Sequence, residues 1–370
     1  MENKVIDLFA GCGGFSVGFE RAGFSIVKAV EIDKQIANTY IKNHPSTKVY
    51  VNDIGKIDNA SNFNKYEADV IIGGPPCQGF SMSGARIRSN GFIDDPRNYL
   101  FKHYVEMVKI IRPKVFLFEN VKGILSMKGG GIFKEIIKAL TDKDNFEGDK
   151  YFLHCRVVKA TDYGIPEKRE RVIILGVLNH DVDLDEIDKI ITENIKKEHP
   201  HFFDVNTVKD AIYGMPHPSK DGIIENKPPL TEYQKELHSS QPVIYNHIAT
   251  RHIKKAIDRM HKVKDGENWT VLNEDIKSVH SGSYGRLSWD EPATTITTRF
   301  DTPSGGRYTH PVEDRTLTPR EAARIQSFPD DFIFYGTKSS ICKQIGNAVP
   351  PKLAFYLANI VKYILSKKNE

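Results

Sequence analysis

Short apolar runs alternate with amphipathic stretches through the first half of the chain, and the spacing predicts alternating strands and helices. Residues 5–9, 26–30, 48–51, 69–72 and 114–118 read as strands. Residues 34–42, 99–111 and 132–140 carry the wider apolar period of helices. Strands separated by helices of this length predict an α/β fold with a mostly parallel sheet covered on both faces. Residues 151–160 and 171–178 read as two more strands, an antiparallel pair at one edge, with Gly164-Ile165-Pro166 turning between them. After residue 178 the alternation stops. Residues 180–197 form an acidic stretch that reads as a surface helix, and Pro216, Pro218, Pro228, Pro229 and Pro242 break up the next stretch, so a domain boundary is placed here. Further on, Thr318-Pro319-Arg320-Glu321 has the form of a capped helix start, and residues 352–365 form an amphipathic core helix.

Composition narrows the function classes only modestly. With 370 residues the chain can bury a large core, and 27% charged residues, mixed in sign, argue for a soluble globular protein rather than a disordered one. A formal charge of +4 permits a polyanionic partner without demanding one. Cys12, Cys77, Cys155 and Cys342 are scattered and form no Cys-x-x-Cys pair, which argues against a zinc site or a disulfide framework. A cytoplasmic setting is expected. Residues 1–10 lack the apolar core of a signal peptide, and no apolar stretch approaches the roughly 18 residues that would span a bilayer.

Candidate chemistry gathers at the predicted strand ends. The first strand runs into Ala10-Gly11-Cys12-Gly13-Gly14-Phe15-Ser16, a glycine turn entering a helix, and Glu31 stands 20 residues after Gly11. That spacing suits a nucleoside, with the acid on the ribose hydroxyls, although a glycine turn alone is a weak signal. Asp7 either faces a ligand with a cationic amino-acid end, such as S-adenosylmethionine, or serves a capping role at the sheet edge. Gly73-Gly74-Pro75-Pro76 carries Cys77 out of a strand on a stiff turn, so the cysteine is either a presented nucleophile or a small packed hydrophobe. In Glu167-Lys168-Arg169-Glu170-Arg171, extended alternation would put Arg169 and Arg171 on one side, unless the run is a solvated loop. Residues 246–264 hold Arg251 and five further cations against Asp258, a surface suited to phosphates or simply to solvent. The run Thr294-Thr295-Ile296-Thr297-Thr298-Arg299 suits nucleic-acid contacts and β-structure equally.

Taken together these blocks resemble the DNA (cytosine-5) methyltransferases, particularly those of prokaryotic restriction-modification systems. The resemblance rests on Asp7 through Phe15, Glu31-Ile32-Asp33, Pro75-Pro76-Cys77-Gln78, Glu119-Asn120-Val121, Arg169-Glu170-Arg171, Arg315 through Pro329, and Gln344 through Pro351, in that order over nearly the whole chain. It implies a Rossmann-like catalytic domain of residues 1–181 plus 335–370 and a smaller, irregular target-recognition domain of residues 182–334. The implied cofactor is S-adenosylmethionine, leaving as S-adenosylhomocysteine, with no metal. Cys77 would add to cytosine C6, Glu119 would hold the N3 edge in its acid form, and Arg171 and Arg169 would orient the base. C5 would then attack the methyl sulfonium before its proton and Cys77 depart.

The family's cofactor-contacting positions match Phe9, Gly11, Gly13, Glu31, Ile32, Asp53, Ile54, Gly74, Pro76, Leu100, Asn347 and Ala348. DNA contacts are expected from Gln78, Ser81, Arg251, Thr297 and Arg299, with the cytosine turned out of the duplex. A monomer is expected, acting on double-stranded DNA at the nucleoid, with a cognate restriction endonuclease acting separately. Methylation of RNA by a relative, a catalytically silent DNA-binding module and a nicotinamide dehydrogenase are the rival readings. The long variable region and Pro75-Pro76-Cys77-Gln78-Gly79-Phe80-Ser81 disfavour the first, intact Cys77, Glu119 and Arg171 the second, and the proline-flanked cysteine the third.

Overall fold

A computed structural model describes residues 2–57, 59–76, 100–274, 276 and 280–367. Strands β1 (Lys4–Leu8), β2 (Ser25–Glu31), β3 (Lys48–Val51), β4 (Val70–Gly73), β5 (Val115–Val121), β6 (Tyr151–Lys159) and β8 (Glu170–Leu178) form one seven-stranded sheet in the order β3-β2-β1-β4-β5-β8-β6. The first five pair in parallel, and β8 runs antiparallel to β5. Helices α1 (Gly14–Arg21), α2 (Lys34–Asn43), α3 (Asn59–Asn62), α4 (Phe101–Ile111) and α5 (Gly131–Thr141) occupy the crossovers. Long apolar runs on the central strands follow from burial on both faces, since Val70 to Ile72 and Val115 to Phe118 are all fully buried; on one face Ile71, Phe116 and Phe118 pack among Phe101, Tyr104, Met107 and Val108 of α4 and Ile132, Ile136 and Leu140 of α5.

The chain divides into two compact units, one of residues 1–158, 170–198 and 353–370, the other of residues 159–169 and 199–352. These limits differ from the expected 181/182 and 334/335. Helix α6 (Leu184–Glu198) stays with the sheet unit because Tyr356 of the last helix donates to Asp188 Oδ1 at 2.7 Å and shares a hydrogen bond with Thr192 at 2.9 Å. That last helix, α12 (Pro351–Lys367), is the predicted core helix. It crosses α1 so closely that a methyl group on Gly18 would lie 2.6 Å from the carbonyl carbon of Ala354.

The second unit has little regular structure. It contains β7 (Glu167–Lys168), the short pair β9 (Ile224–Glu225) and β10 (Val243–Ile244), β11 (Ala293–Thr294), and helices α7 (Val208–Ile212), α8 (Glu232–Leu237), α9 (Lys254–Lys262), α10 (Pro319–Ile325) and α11 (Lys338–Asn347). Helix α10 begins with the predicted capping box, Thr318 and Glu321 each bonding the other's backbone amide. Among the described residues no helix is long and apolar enough to cross a membrane.

Candidate active site

Sheet order reverses direction at β1/β4, and in open α/β sheets ligands bind beyond the strand ends at such a switch. The turn leaving β1 is conformationally forced. Phe9 sits at φ 56°, rare for a bulky residue, and Gly13 at φ 98° abuts His44, where a methyl group would lie 2.8 Å from ring Cδ2. Glu31, buried at the end of β2, accepts the amides of Gly11 at 2.9 Å and Asp33 at 2.8 Å, so one carboxylate fixes the turn after β1 and the start of the next helix. Burial raises its pKa above the ordinary carboxylate range despite those bonds. Beside it Ile32 is 64% exposed, an apolar surface next to an acid. Asp53 accepts the amide of Gly55 at 3.0 Å and caps the short turn that begins at buried Ile54. Leu100 is half-buried at the start of α4.

These groups fit a nucleoside cofactor: an ordered turn whose Gly11 faces open space, an acid for ribose hydroxyls, and an apolar shelf for a flat base. Asp7 does not take part as a ligand carboxylate. It is buried and accepts a hydrogen bond from Ser16 Oγ at 2.6 Å, and Ser16 also meets Tyr40 Oη at 2.7 Å; its role is structural, yet it is not the expected cap at the sheet edge, because β1 is a central strand and Ser16 lies inside α1. Burial, reinforced by Glu31 and Glu20, pushes its carboxyl up to about 8 against the opposing Ser16 bond.

Farther along the sheet, β5 extends through Glu119 and Asn120 instead of closing before them. Glu119 pairs with Ile173, and Val121 with Arg171, which places Glu119 and Arg171 on one face as diagonal neighbours. Their side chains, each nearly buried, meet at 2.9 Å between Nε and Oε1. Glu119 Oε2 approaches Gly74 so nearly that a methyl group there would stand 2.8 Å from it. Asn120, whose role the sequence did not disclose, donates to the Pro75 carbonyl at 2.9 Å and so ties buried Pro75 and half-buried Pro76 to β5. Cys77, Gln78 and Ser81 lie outside the described residues. Of the other thiols, burial pushes Cys12 and Cys342 up to about 12, while Cys155 is exposed on β6.

Arg169 departs from the expected alternation. Its amide bonds the Glu167 carbonyl two residues back at 2.8 Å, a tight turn that breaks the extended path between β7 and β8. Its guanidinium donates to the carbonyls of Ile296, Gly346 and Ala348, whereas Arg171 pairs with Glu119. Asn347 is exposed at the end of α11 and Ala348 is buried just beyond it, both in the second unit. Thr297 is half-buried, its hydroxyl accepting from Tyr308 Oη at 3.1 Å, and Arg299 and Arg251 are exposed.

The sheet order and the groups along its crest are those of a Rossmann-like nucleoside-binding fold. The family model of the C-5 cytosine-specific DNA methylases matches residues 3–362, and the chain belongs to that family. It is 34% identical to the Type II methyltransferase M.DdeI of Desulfomicrobium norvegicum, over 99% of this chain and 90% of that one. It is 36% identical to M1.HphI of Haemophilus parahaemolyticus, over 98% and 87% respectively. Among solved structures, a DNA modification methyltransferase encoded within a prophage of E. coli superimposes with a TM-score of 0.76 at 31% identity, over 99% of this chain and all of that one.

Proposed function

We propose that this enzyme methylates C5 of a cytosine in a specific double-stranded DNA sequence, as the modification half of a restriction-modification system. What supports the reading most directly is the placement of Glu119: its carboxylate is paired with Arg171 and set against Gly74, three residues before Cys77 in the chain. Cytosine C5 is a poor nucleophile and gains electron density only when a nucleophile adds at C6. Cys77 forms that bond and later breaks it, leaving with its electron pair as the C5 proton is lost. Glu119 hydrogen-bonds the N3 edge and relieves the charge that develops during addition, while Arg171 fixes the carboxylate in position. S-adenosylmethionine supplies the electrophilic methyl group. Phe9, Gly11, Gly13, Glu31, Ile32, Asp53, Ile54, Gly74, Pro76, Leu100, Asn347 and Ala348 are the residues assigned to hold it.

Target recognition is assigned to the irregular unit, with Thr297 beside the extruded nucleotide and Arg251 and Arg299 on the duplex, joined by Gln78 and Ser81. Turning the base out costs a few kcal/mol, offset by contacts made only in the extruded state. A monomer working beside a separately acting endonuclease completes the proposal. Bisulfite sequencing of a plasmid incubated with the protein and S-adenosylmethionine is expected to reveal protected cytosines in one sequence context. Cys77→Ala is expected to abolish protection while retaining DNA binding. Duplex DNA carrying 5-fluorocytosine at the mapped site is expected to become covalently attached, since fluorine cannot leave as a proton does; turnover by the alanine variant sinks the nucleophile assignment.

A further inference from the structure

The second unit contains a buried charged clamp that the reaction chemistry does not call for. Glu167 and Arg169 are 0% and 2% exposed and lie two residues apart beside β7. Glu167 Oε1 accepts the amide of Ile296 at 2.7 Å, and Arg169 Nη1 donates to the carbonyl of the same residue at 3.3 Å, so Ile296 is gripped on both sides of its backbone. The two side chains neutralise each other at 3.5 Å.

The remaining Arg169 bonds go to Gly346 O, at 3.2 Å from each of Nη1 and Nη2, and to Ala348 O at 2.8 Å. These carbonyls belong to the C-terminal end of α11, where helix carbonyls lack intrahelical partners and a cation is favoured. Gly346 also lies against the peptide after Thr297: a methyl group there would stand 2.5 Å from Thr297 C and from Thr298 N. Three chain segments far apart in sequence therefore meet at one guanidinium. All three are held through their main chains, while Asn347 and Arg299 remain exposed and Thr297 half-exposed. That is the form of a support behind a binding surface.

We infer that Arg169 and Glu167 are positioning residues that make the Thr297 run and the Gly346–Ala348 segment a single body, so that DNA binding and cofactor binding are coupled through it. The inference rests on the proposed function, which assigns Thr297 to the extruded nucleotide and Asn347 and Ala348 to the cofactor. It removes Arg169 from the groups that touch the base. A coupling is reciprocal, so the factor by which cofactor tightens DNA equals that by which DNA tightens cofactor.

The test uses the full chain, duplex DNA containing the site mapped by bisulfite sequencing, and S-adenosylhomocysteine as an unreactive cofactor. Duplex affinity is measured by fluorescence anisotropy with and without S-adenosylhomocysteine. In the wild type the ratio is expected to be at least about 5-fold, the lower end of typical couplings. Arg169→Lys keeps the charge but not the planar fork, and the ratio is expected to fall towards one with cooperative thermal unfolding retained. Glu167→Gln keeps the acceptor for Ile296 and is expected to retain most of the ratio. A wild-type ratio of one, or an Arg169→Lys ratio equal to wild type, overturns the inference. So does a drop in both affinities that leaves the ratio unchanged. Should Arg169→Lys fail to fold, Glu167→Ala takes its place with the same expectation. Absence of methylation by the wild type is the separate result that overturns the proposed function itself.

Discussion

The two units of this chain are built on different physics. In the sheet unit the strands are buried between helices, and a large apolar cluster runs from Ile6 through Ile174. The other unit has apolar groupings as well, such as Ala256, Met260, Val263, Leu272 and Tyr284, and adds to them a set of buried cations. Among the described residues, Arg169, Arg286, Arg315, Arg320 and Arg324 are buried there, against Arg112 alone in the sheet unit. Each binds main-chain carbonyls, carboxylates or both. Arg286 reaches the carbonyls of Val263, His310, Glu313 and Met260 and the Asp314 carboxylate. Arg320 holds those of Tyr245, Pro329 and Phe332, and Arg324 makes a two-pronged pair with Asp330 at 2.8 Å. An irregular backbone leaves many carbonyls without ladder partners, and a guanidinium with five donors satisfies several at once. Regular structure makes this unnecessary where a sheet exists.

The contrast predicts where each unit is fragile. Arg286→Ala should have the largest effect, about 3–5 kcal/mol, because it leaves four carbonyls and a carboxylate without their common partner. Denaturant titration followed by the fluorescence of Trp269 and Trp289, both in that unit, measures it; a loss under about 1 kcal/mol would break the comparison. Gly18→Ala should come next. Alanine is the better helix former, yet its methyl group would enter the backbone of α12, so a net destabilisation of about 1–3 kcal/mol is expected. A stabilised variant would show that the helix contact yields freely and that packing does not govern this unit.

The smallest effect per step concerns the buried acid of the sheet unit. Asp7 ionises at about 8 in the folded protein against an ordinary 3.8. Between those values the unfolded chain has lost the proton that the native one keeps. Stability from this group is therefore fully present below about pH 4, declines as pH rises towards 8, and is flat beyond. The slope is at most about 1.4 kcal/mol per pH unit. Asp7→Asn should flatten the pH dependence of the melting temperature across that window. Parallel curves for the two proteins would remove Asp7 as its source.

The same contrast explains what the sequence disclosed. Apolar periodicity located the strands of the large sheet, because burial on both faces writes itself into composition. Glu119 and Arg171 were marked by the sequence blocks that carry them, and strand register then brings the two together. Arg169 was misplaced because alternation presumes an unbroken strand, and the tight turn at Glu167 interrupts it. Asp7 looked like a ligand group because its true partner, Ser16, becomes adjacent only when α1 folds back on β1. Asn120 and Glu167 escaped notice for a related reason: each acts on a backbone atom distant in sequence, Pro75 O and Ile296 N, and backbone atoms carry no residue identity to read. The domain limits shifted because α6 and α12 are joined by Tyr356 across a long sequence separation.

The crossing of α1 and α12 bears on how the protein emerges from the ribosome. Strands of the sheet are synthesised first, but the surface that Gly18 offers stays uncovered until Ala354 has been translated, after the whole of residues 199–352. The irregular unit is thus an excursion that can close on itself during synthesis, while the nascent sheet waits with an apolar flank exposed.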